Sequence, residues 1–482
     1  MIRFGTGGWR AVIGDEFTRS NIRLLCQGLA DLMTQDQVTG PGVIIGYDRR
    51  FLSREAAEWA AEILTGNGIV CRLIDRDAPT PMIMYAVRHY KTAYGLAITA
   101  SHNPAIYNGI KMFTAGGRDA AAEVTARLEQ FTDAVDPAGI HSLPTAEAFK
   151  AGLLICINPT NVYLDSIIAA VDMDAIRSGN LKIALDPMYG VSRTCLQTIL
   201  MTARCEVEVI HERRDTLFGG RLPSPNIDTL GALTAVVLEH HCDLGIATDG
   251  DADRLGIIDN LGNFLHPNQI LVLLYHYLLS RKGWRGPCVR NLATTSLLDR
   301  VAEKFGETCY EVPVGFKHIS AKMQETDAII GGESSGGLTV RGHIPGKDGI
   351  YAAALLVEML AVTGRSLADL YQEIVREFGN LQMAEQDYRF SGIRKQEILH
   401  KLMQRHELPV FPDKIERISW LDGCKVYFAG GGWIVARFSG TEPLLRIMCE
   451  MPDIAQANQN CGLLADFLEL SESGASCGGS LS

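Results

Sequence analysis

The 482-residue chain has twelve cysteines, scattered from Cys26 to Cys477, and no CxxC pair among them. That absence argues against a zinc site or a redox motif, and the scatter does not read as a disulfide framework. Buried, reduced thiols in a cytosolic protein are the expectation. Basic residues are in deficit: the net charge is −11 and the pI is near 5.6. A nucleic-acid binder would usually carry a basic stripe, so that class is set aside, although a local basic pocket for phosphate is not. The most apolar helix-like run, 350–363, is interrupted by Glu358. It is shorter than the ~20 residues that a membrane span needs. The opening MIRFGTGGWR lacks the apolar core of a signal peptide. No membrane partner is expected, and the cytoplasm is the expected location.

Two catalytic fingerprints are also missing. No G-x-S-x-G elbow surrounds Ser101, which leaves a hydrolase reading with little support. The opening glycines are not a dinucleotide fingerprint, because the spacing fails at Arg10 and no strand precedes them.

What is present is the composition of a soluble globular protein, 47% hydrophobic and 21% charged. At ~100–200 residues per domain the length predicts about three or four domains. Short apolar runs alternate with helical patterns. Val43–Tyr47, Val70–Ile74 and Tyr94–Ala100 read as strands, and Thr80–Tyr90 as a helix. Between them Ala56, Ala57, Ala60, Ala61 and Leu64 lie on the inner face of a helix that Ser53 is placed to cap. The rhythm returns at 182–248, with Leu244–Thr248 as its last strand. A third set is expected to begin at Gly256–Asp259 and to enter GGESSGG through Ala328–Ile330. Such alternation implies parallel βαβ units whose ligands gather beyond the carboxyl ends of the strands. From Trp420 to Glu450 short strands and glycine turns replace it, followed by a helix at Ile454–Leu468. The stretch 133–148 reads as a linker, and the Ser/Gly-rich 471–482 as a disordered tail.

Four loops carry chemistry. Thr99-Ala100-Ser101-His102-Asn103-Pro104 sets one hydroxyl at the end of a strand. DGDADR (249–254) brings Asp249, Asp251 and Asp253 around one point, and hard oxygen ligands of this kind suit magnesium or calcium. An EF-hand loop fails here, since its sixth position would be Arg254 and its twelfth Asn260. GGESSGG (331–337) offers Glu333 and Ser335 on a backbone that can approach sugar hydroxyls closely. RFSGTEPLLR (437–446) places Ser439, Gly440 and Thr441 between Arg437 and Arg446, a set that can cradle phosphate through hydroxyls, backbone N–H groups and guanidinium forks.

Four such loops in this order resemble the alpha-D-phosphohexomutases, the phosphoglucomutase and phosphomannomutase superfamily, and the likeness runs from Phe4 to Arg446. The resemblance implies an α/β fold with four domains around a central cleft: three βαβ-type mixed-sheet domains and a C-terminal α+β domain. The expected boundaries are 1–145, 146–255, 256–378 and 379–470. It implies that Ser101 carries a phosphoryl group, adding about −1.5 to −2 charges, with Arg10, His102 and Lys111 as nearby cations. Lys111 stands ten residues beyond the serine, where the family motif has a lysine, and is a candidate base or charge stabiliser. It further implies Mg2+ on Asp249, Asp251, Asp253 and an oxygen of phosphorylated Ser101, with Arg254 as charge support. Sugar contacts are implied for Glu333, Ser335 and Lys317, and a phosphate grip for the 437–446 loop.

Two positions depart from the family pattern. Gly7 replaces a Ser or Asp, and Gly337 stands where many phosphomannomutase-type relatives carry a His proposed as the acid–base group. His343 or Lys347, in GHIPGKDG, is the expected replacement. The activity implied is the interconversion of hexose 1-phosphate and 6-phosphate through a hexose 1,6-bisphosphate. Glucose phosphate is preferred over mannose phosphate because GESSGG followed by KDG looks more like the phosphoglucomutase side. Glucosamine phosphate ranks lower, since those mutases usually carry a His after the ESG element. The partner is a small sugar phosphate, and the protein a monomer or homodimer. A non-catalytic sugar-phosphate sensor is the alternative from another class.

Overall fold

The computed structural model describes residues 2–5, 7–389, 392–438, 444–470 and 476–477. Three mixed sheets follow one another along the chain, and a fourth, antiparallel sheet closes it. In the first, strands Tyr94–Ile98, Val43–Tyr47, Cys71–Ile74 and Leu154–Ile157 run parallel in that order. Val43–Tyr47 is buried throughout, as its unbroken apolar run requires of a strand covered on both faces. The helix Ser53–Gly66 packs with Ala56, Ala57, Ala60, Ala61 and Leu64 fully inside. Ser53 does not cap it. Leu52 holds the N-cap position at φ 62°, and the Ser53 hydroxyl donates instead to Asp48 Oδ1 at 2.7 Å, an ordinary hydroxyl–carboxylate length.

The first three sheets share one device. The strand at one edge of the parallel run pairs antiparallel with the next strand in sequence, so the loop between them is thrown out at the carboxyl edge. Tyr94–Ile98 pairs with Tyr107–Thr114 around the Ser101 loop. Leu244–Thr248 pairs with Leu255–Asp259 around the aspartate loop. Ile330–Gly332 pairs with Leu338–Val340 around the Glu333 loop. In the fourth sheet the hairpin Trp433–Phe438 and Leu444–Met451 brackets 439–443, which lie outside the described residues.

Two expectations are corrected. The strand Leu255–Asp259 and the short Phe264–Leu265 complete the second sheet, so the third unit does not open at 256. The 133–148 stretch does not lead out of the first unit: the helix Thr145–Lys150 returns the chain to Leu154–Ile157 on the first sheet, and the boundary at 145 falls inside it. Of the expected tail, only Ser476–Cys477 are described, paired antiparallel with Gln386–Asp387; the rest lies outside the described residues. No single helix among the described residues is long and apolar enough to cross a membrane. The apolar helix Gly349–Thr363 is instead buried in the core.

One continuous core joins the first three units, from Ile44 and Met82 through Ile183 and Ile246 to Leu274 and Leu356. The fourth unit has a core of its own, around Tyr388, Phe428 and Leu464. It meets the third through a small cluster, Leu292, Ala293, Tyr427, Trp433, Val435 and Met448. A buried charge cluster fastens that junction. Glu311 of the third unit accepts from Arg290 (2.6 Å) and from Lys425 Nζ of the fourth (2.7 Å), as well as from the Tyr427 hydroxyl. Burial would raise the Glu311 carboxyl, but Arg290 and Lys425 hold it down at about 2. Arg290 keeps its charge, so burial and its presence push Lys425 down to about 7.

Removing Glu311 leaves buried Lys425 without its carboxylate partner, while Arg290 keeps Asp299 (2.9 Å); breaking a buried pair in this way typically costs about 3–5 kcal/mol. In Glu311→Ala, scanning calorimetry is expected to resolve the fourth unit as a separate transition below that of the rest. A single unshifted transition would show that the cluster does not hold the junction.

Candidate active site

Ser101 sits beyond the end of its strand at φ 52°, a left-handed conformation unusual for a residue with a side chain. Arg50 holds it there. Fully buried, its guanidinium donates to the carbonyls of Ser101 (2.6 Å), Asn103 (2.7 Å), Pro104 (2.9 Å) and Tyr107 (3.0 Å). Asp48 balances that charge with a 3.3 Å ion pair and accepts from the hydroxyls of Ser53 and Thr99. Thr99 in turn receives the Ser101 N–H (2.9 Å). The loop is therefore gathered by one side chain that uses its planar fork on several carbonyls at once, which lysine cannot do.

The Ser101 hydroxyl donates to Asp249 Oδ2 (2.8 Å) and lies 3.3 Å from His102 Nδ1. Asp249, Asp251 and Asp253 are all buried, and one oxygen from each falls within 4.8 Å of the others. Like charges this close are held by cations from other units. Lys111, on the strand next to Ser101, bridges Asp251 and Asp253 with two 2.6 Å contacts. Lys347 of the third unit pairs with Asp253 at 2.9 Å. Thr80 opens the helix Thr80–Tyr90 by donating its N–H to the Asp251 carbonyl (2.9 Å) and its hydroxyl to the carboxylate (2.6 Å). Arg254 lies 3.9 Å from Asp253.

These neighbours set the charge states. Burial disfavours the Lys111 ammonium, but Asp251, Asp253 and Asp249 outweigh it and hold its pKa above the ordinary lysine value. Burial likewise opposes the Asp253 carboxylate, and Lys111, Lys347 and Arg254 hold it well below the usual range. Asp249, buried and repelled by Asp253 and Asp251, is driven well above it. Arg254, burial, Arg10 and Lys347 push His102 far down, which favours the neutral imidazole beside Ser101 and corrects the expectation of a cation there. Asp251 Oδ1 and Asp253 Oδ1 are buried with no hydrogen-bond partner. Orphaned carboxylate oxygens beside a third carboxylate are what a hard divalent cation takes, so the three aspartates fit a metal.

The structure brings together most of the residues singled out in the sequence. Arg10, on the strand Trp9–Val12, donates to Asn103 of the serine loop. The Glu333 loop abuts the aspartate loop, where the Leu255 N–H donates to the Gly336 carbonyl (3.3 Å). Glu333 accepts from Asn291 (3.2 Å) and the Gly315 N–H (3.3 Å), while Ser335 reaches it at 3.5 Å. Lys317 stands in the first turn of the helix Phe316–Thr326. Arg437 pairs with Asp422 (2.8 Å) and Arg446 with Asp387 (2.7 Å), on adjacent strands where the two arginines face each other in register. Ser439, Gly440 and Thr441 lie outside the described residues.

His343 does not join the group. Its Nε2 is 2.6 Å from Asp348, which also accepts from the Tyr163 hydroxyl (2.8 Å) and caps the helix Gly349–Thr363. These partners commit it to the packing behind the aspartate loop. Lys347 instead takes the space at Gly337, where an added Cβ would collide with Lys347 Cδ. The sequence reasoning missed Arg50, Asp48 and Thr80. Asp48-Arg49-Arg50 at the end of an apolar strand was the available signal for the first two. It also missed Asp119, whose carboxyl is raised by burial against the pull of Lys347 and Lys111.

Comparison with known proteins bears on what this arrangement does. Four family models match in order: phosphoglucomutase/phosphomannomutase alpha/beta/alpha domain I over 1–138, domain II over 161–262, domain III over 266–378, and the C-terminal domain over 409–466. Among curated relatives, a phosphoglucomutase/phosphomannomutase of Thermococcus kodakarensis is 29% identical, the match covering 97% of this chain and 98% of the relative. A phosphoglucosamine mutase of Desulforamulus reducens is 30% identical, with 96% and 98% covered. Among solved structures, a putative phosphomannomutase from Thermus thermophilus superposes with a TM-score of 0.83 at 30% identity, covering 97% of this chain and 99% of that one. The chain belongs to the phosphoglucomutase/phosphomannomutase family and is an enzyme of the phosphohexomutase type.

If the unpartnered oxygens of Asp251 and Asp253 are the cation ligands, Asp251→Asn with Asp253→Asn should weaken Mg2+ binding by at least ~10-fold in calorimetric titration of the full chain. Far-UV circular dichroism should still report a folded chain, with a lower melting temperature because buried Lys111 loses both carboxylate partners. Binding that survives the double substitution would place the cation elsewhere.

Proposed function

We propose that this phosphohexomutase interconverts glucose 1-phosphate and glucose 6-phosphate, with Ser101 as the phosphoryl carrier and a glucose 1,6-bisphosphate intermediate. The observation that carries the reading is the Ser101 hydroxyl on Asp249 (2.8 Å), inside a buried three-carboxylate cluster with two unpartnered oxygens. In the forward half-reaction a sugar hydroxyl oxygen attacks phosphorus, the bond from phosphorus to Ser101 Oγ breaks, and the hydroxyl proton is released. After the bisphosphate turns around, its other phosphoryl group returns to Ser101. Asp249, Asp251 and Asp253 would hold magnesium, which when bound offsets charge on the transferring group.

Roles follow from what each side chain touches. Lys111 has its ammonium committed to two carboxylates, which suits charge support more than proton removal. Among the described residues Lys347 makes one ion pair, and it fills the volume opened by Gly337, so proton handling is assigned to it rather than to His343. Arg10 and Arg254 complement the phosphoserine. Glu333, Ser335 and Lys317 read the sugar, and Arg437, Ser439, Gly440, Thr441 and Arg446 grip the phosphate that is not transferred. The fourth unit, with its separate core, is suited to open and close over the ligand.

Mannose and glucosamine phosphates are the rival substrates, and the similar proteins carry names from both groups. Steady-state kcat/KM for the three hexose 1-phosphates, with Mg2+ and a trace of the matching bisphosphate, decides among them. A large preference for glucosamine phosphate would overturn the glucose assignment. Ser101→Ala is expected to lose nearly all turnover, whereas a sugar-phosphate sensor would keep its output.

Lys347→Ala should lower kcat by about 100-fold or more, within the range for loss of a general acid or base. His343→Ala should act mainly on stability. Gly337→His should also be nearly inactive, because its side chain collides with Lys347, and adding Lys347→Ala to it should recover part of the loss. Equal kcat losses for Lys347→Ala and His343→Ala would count against this division of roles.

A further inference from the structure

Behind the aspartate loop lies a cavity of 580 Å³, walled by all three of the fused units. The helix Thr80–Tyr90 contributes Tyr85, Arg88 and His89; the third unit contributes Trp284, Arg341 and His343. The remaining wall is small or aromatic, and among the described residues no carboxylate or carboxamide side chain lines it. Arg88 donates to the His343 carbonyl and forms no ion pair with a carboxylate among the described residues. Arg341 is fixed by Asp327 (2.8 Å) with its guanidinium 5.8 Å from the Trp284 ring centre. Tyr85 stacks against His89 (5.9 Å) and His343 (6.5 Å).

This chemistry differs from that of the cleft. A hexose presents a ring of hydroxyls and needs carboxylate or amide partners, such as Glu333 supplies, and the cavity has none. Inorganic phosphate would leave most of 580 Å³ and the aromatic walls unused. Guanidinium groups beside flat aromatic faces suit an anion joined to a planar ring, and the volume lies in the range of small-molecule sites, about 300–1,000 Å³.

The cavity is also tied to the metal loop by two short paths of chain segments joined by hydrogen bonds and an ion pair. The helix that ends with Arg88 and His89 begins at Thr80, whose N–H and hydroxyl both bond Asp251. His343 holds Asp348, the neighbour of Lys347, and Lys347 pairs with Asp253. A ligand that pulls on Arg88 or His343 therefore loads both sides of the aspartate loop.

We propose that this cavity is an effector site for a nucleoside monophosphate, its phosphate held by Arg88 and Arg341 and its base against Trp284 or Tyr85. Occupancy is coupled to turnover through the two paths. The site does not depend on which hexose phosphate the cleft prefers.

The test is calorimetric titration of the Mg2+-loaded full chain with AMP, UMP and inorganic phosphate, each with the cleft saturated by glucose 1,6-bisphosphate. A nucleotide should bind under these conditions at least ~10-fold more tightly than phosphate and should change kcat at least twofold. Arg88→Gln and, separately, Trp284→Leu should each weaken nucleotide binding by at least ~10-fold, abolish the kcat response, and leave turnover without nucleotide unchanged. Loss of nucleotide binding on adding bisphosphate would assign it to the cleft and overturn the proposal. So would phosphate binding as tightly as the nucleotides, or unaltered affinity in both variants. Tight binding without a change in kcat would overturn the effector role.

Discussion

Three buried carboxylates in one loop cannot stand near each other without compensation, and how they are compensated organises the protein. At a few ångströms in a dry interior, their mutual repulsion far exceeds what any single hydrogen bond returns. Arg254 is the only cation the loop brings with it. The rest arrives from elsewhere: Lys111 and Thr80 from the first unit, Lys347 from the third. Docking of these units is thus coupled to the charge balance of the loop. The apolar counterpart is the single core that runs through all three. Ser101 is brought to Asp249 as a consequence of the same docking, although 148 residues separate them in sequence.

A second constraint explains why the loops meet at all. In each of the first three sheets the functional loop leaves the strand at one edge of the parallel run before the chain doubles back. Loops at that point lie at the carboxyl edge, where backbone groups are not consumed by a crossover helix. Repeating the device places three loops on edges that face one another once the cores fuse. The fourth unit is built differently, from an antiparallel sheet with its own core, and is joined by a small apolar cluster and the Glu311 charge cluster. Ser296 on Glu450 and the Val314 N–H on Asp422 add to that junction, and a unit held by so few contacts, with its own core, is suited to move against the other three, as a cleft that must admit and reorient a ligand requires.

Most of this was legible in the sequence where local pattern and function coincide. The strands Val43–Tyr47 and Leu244–Thr248 announce themselves as apolar runs ending at chemistry, and the four loop motifs are contiguous. What stayed hidden was non-local. Leu255–Asp259 looks like the start of a new βαβ unit, and only its antiparallel pairing with Leu244–Thr248 assigns it to the second sheet. Leu154–Ile157 is short and half exposed, so nothing local ties it to the first sheet. Arg50 reads as a surface charge until its carbonyl partners, up to 57 residues away, are known. His343 has the right neighbours in sequence and the wrong ones in space, because Asp348 and Tyr163 claim it.

The two departures from the family pattern have a common physical explanation. Gly337 lacks the side chain that many relatives place there, and Lys347 lies in the vacated space, its Cδ against the point where a Cβ would stand. Gly7 lacks the usual Ser or Asp, and an Arg10 guanidinium nitrogen lies 2.7 Å from the corresponding point. In both cases a cation facing the serine and aspartate loops occupies the volume that the missing group would have filled. A site decaying toward simple ligand binding would be expected to lose side chains without replacement, leaving cavities or neutral groups beside the aspartates. Here lost volume is matched by retained positive charge at the place where a phosphoryl group would move. The departures are therefore read as an exchange within a working transfer site, and they weigh against the sensor reading that Gly337 alone had allowed.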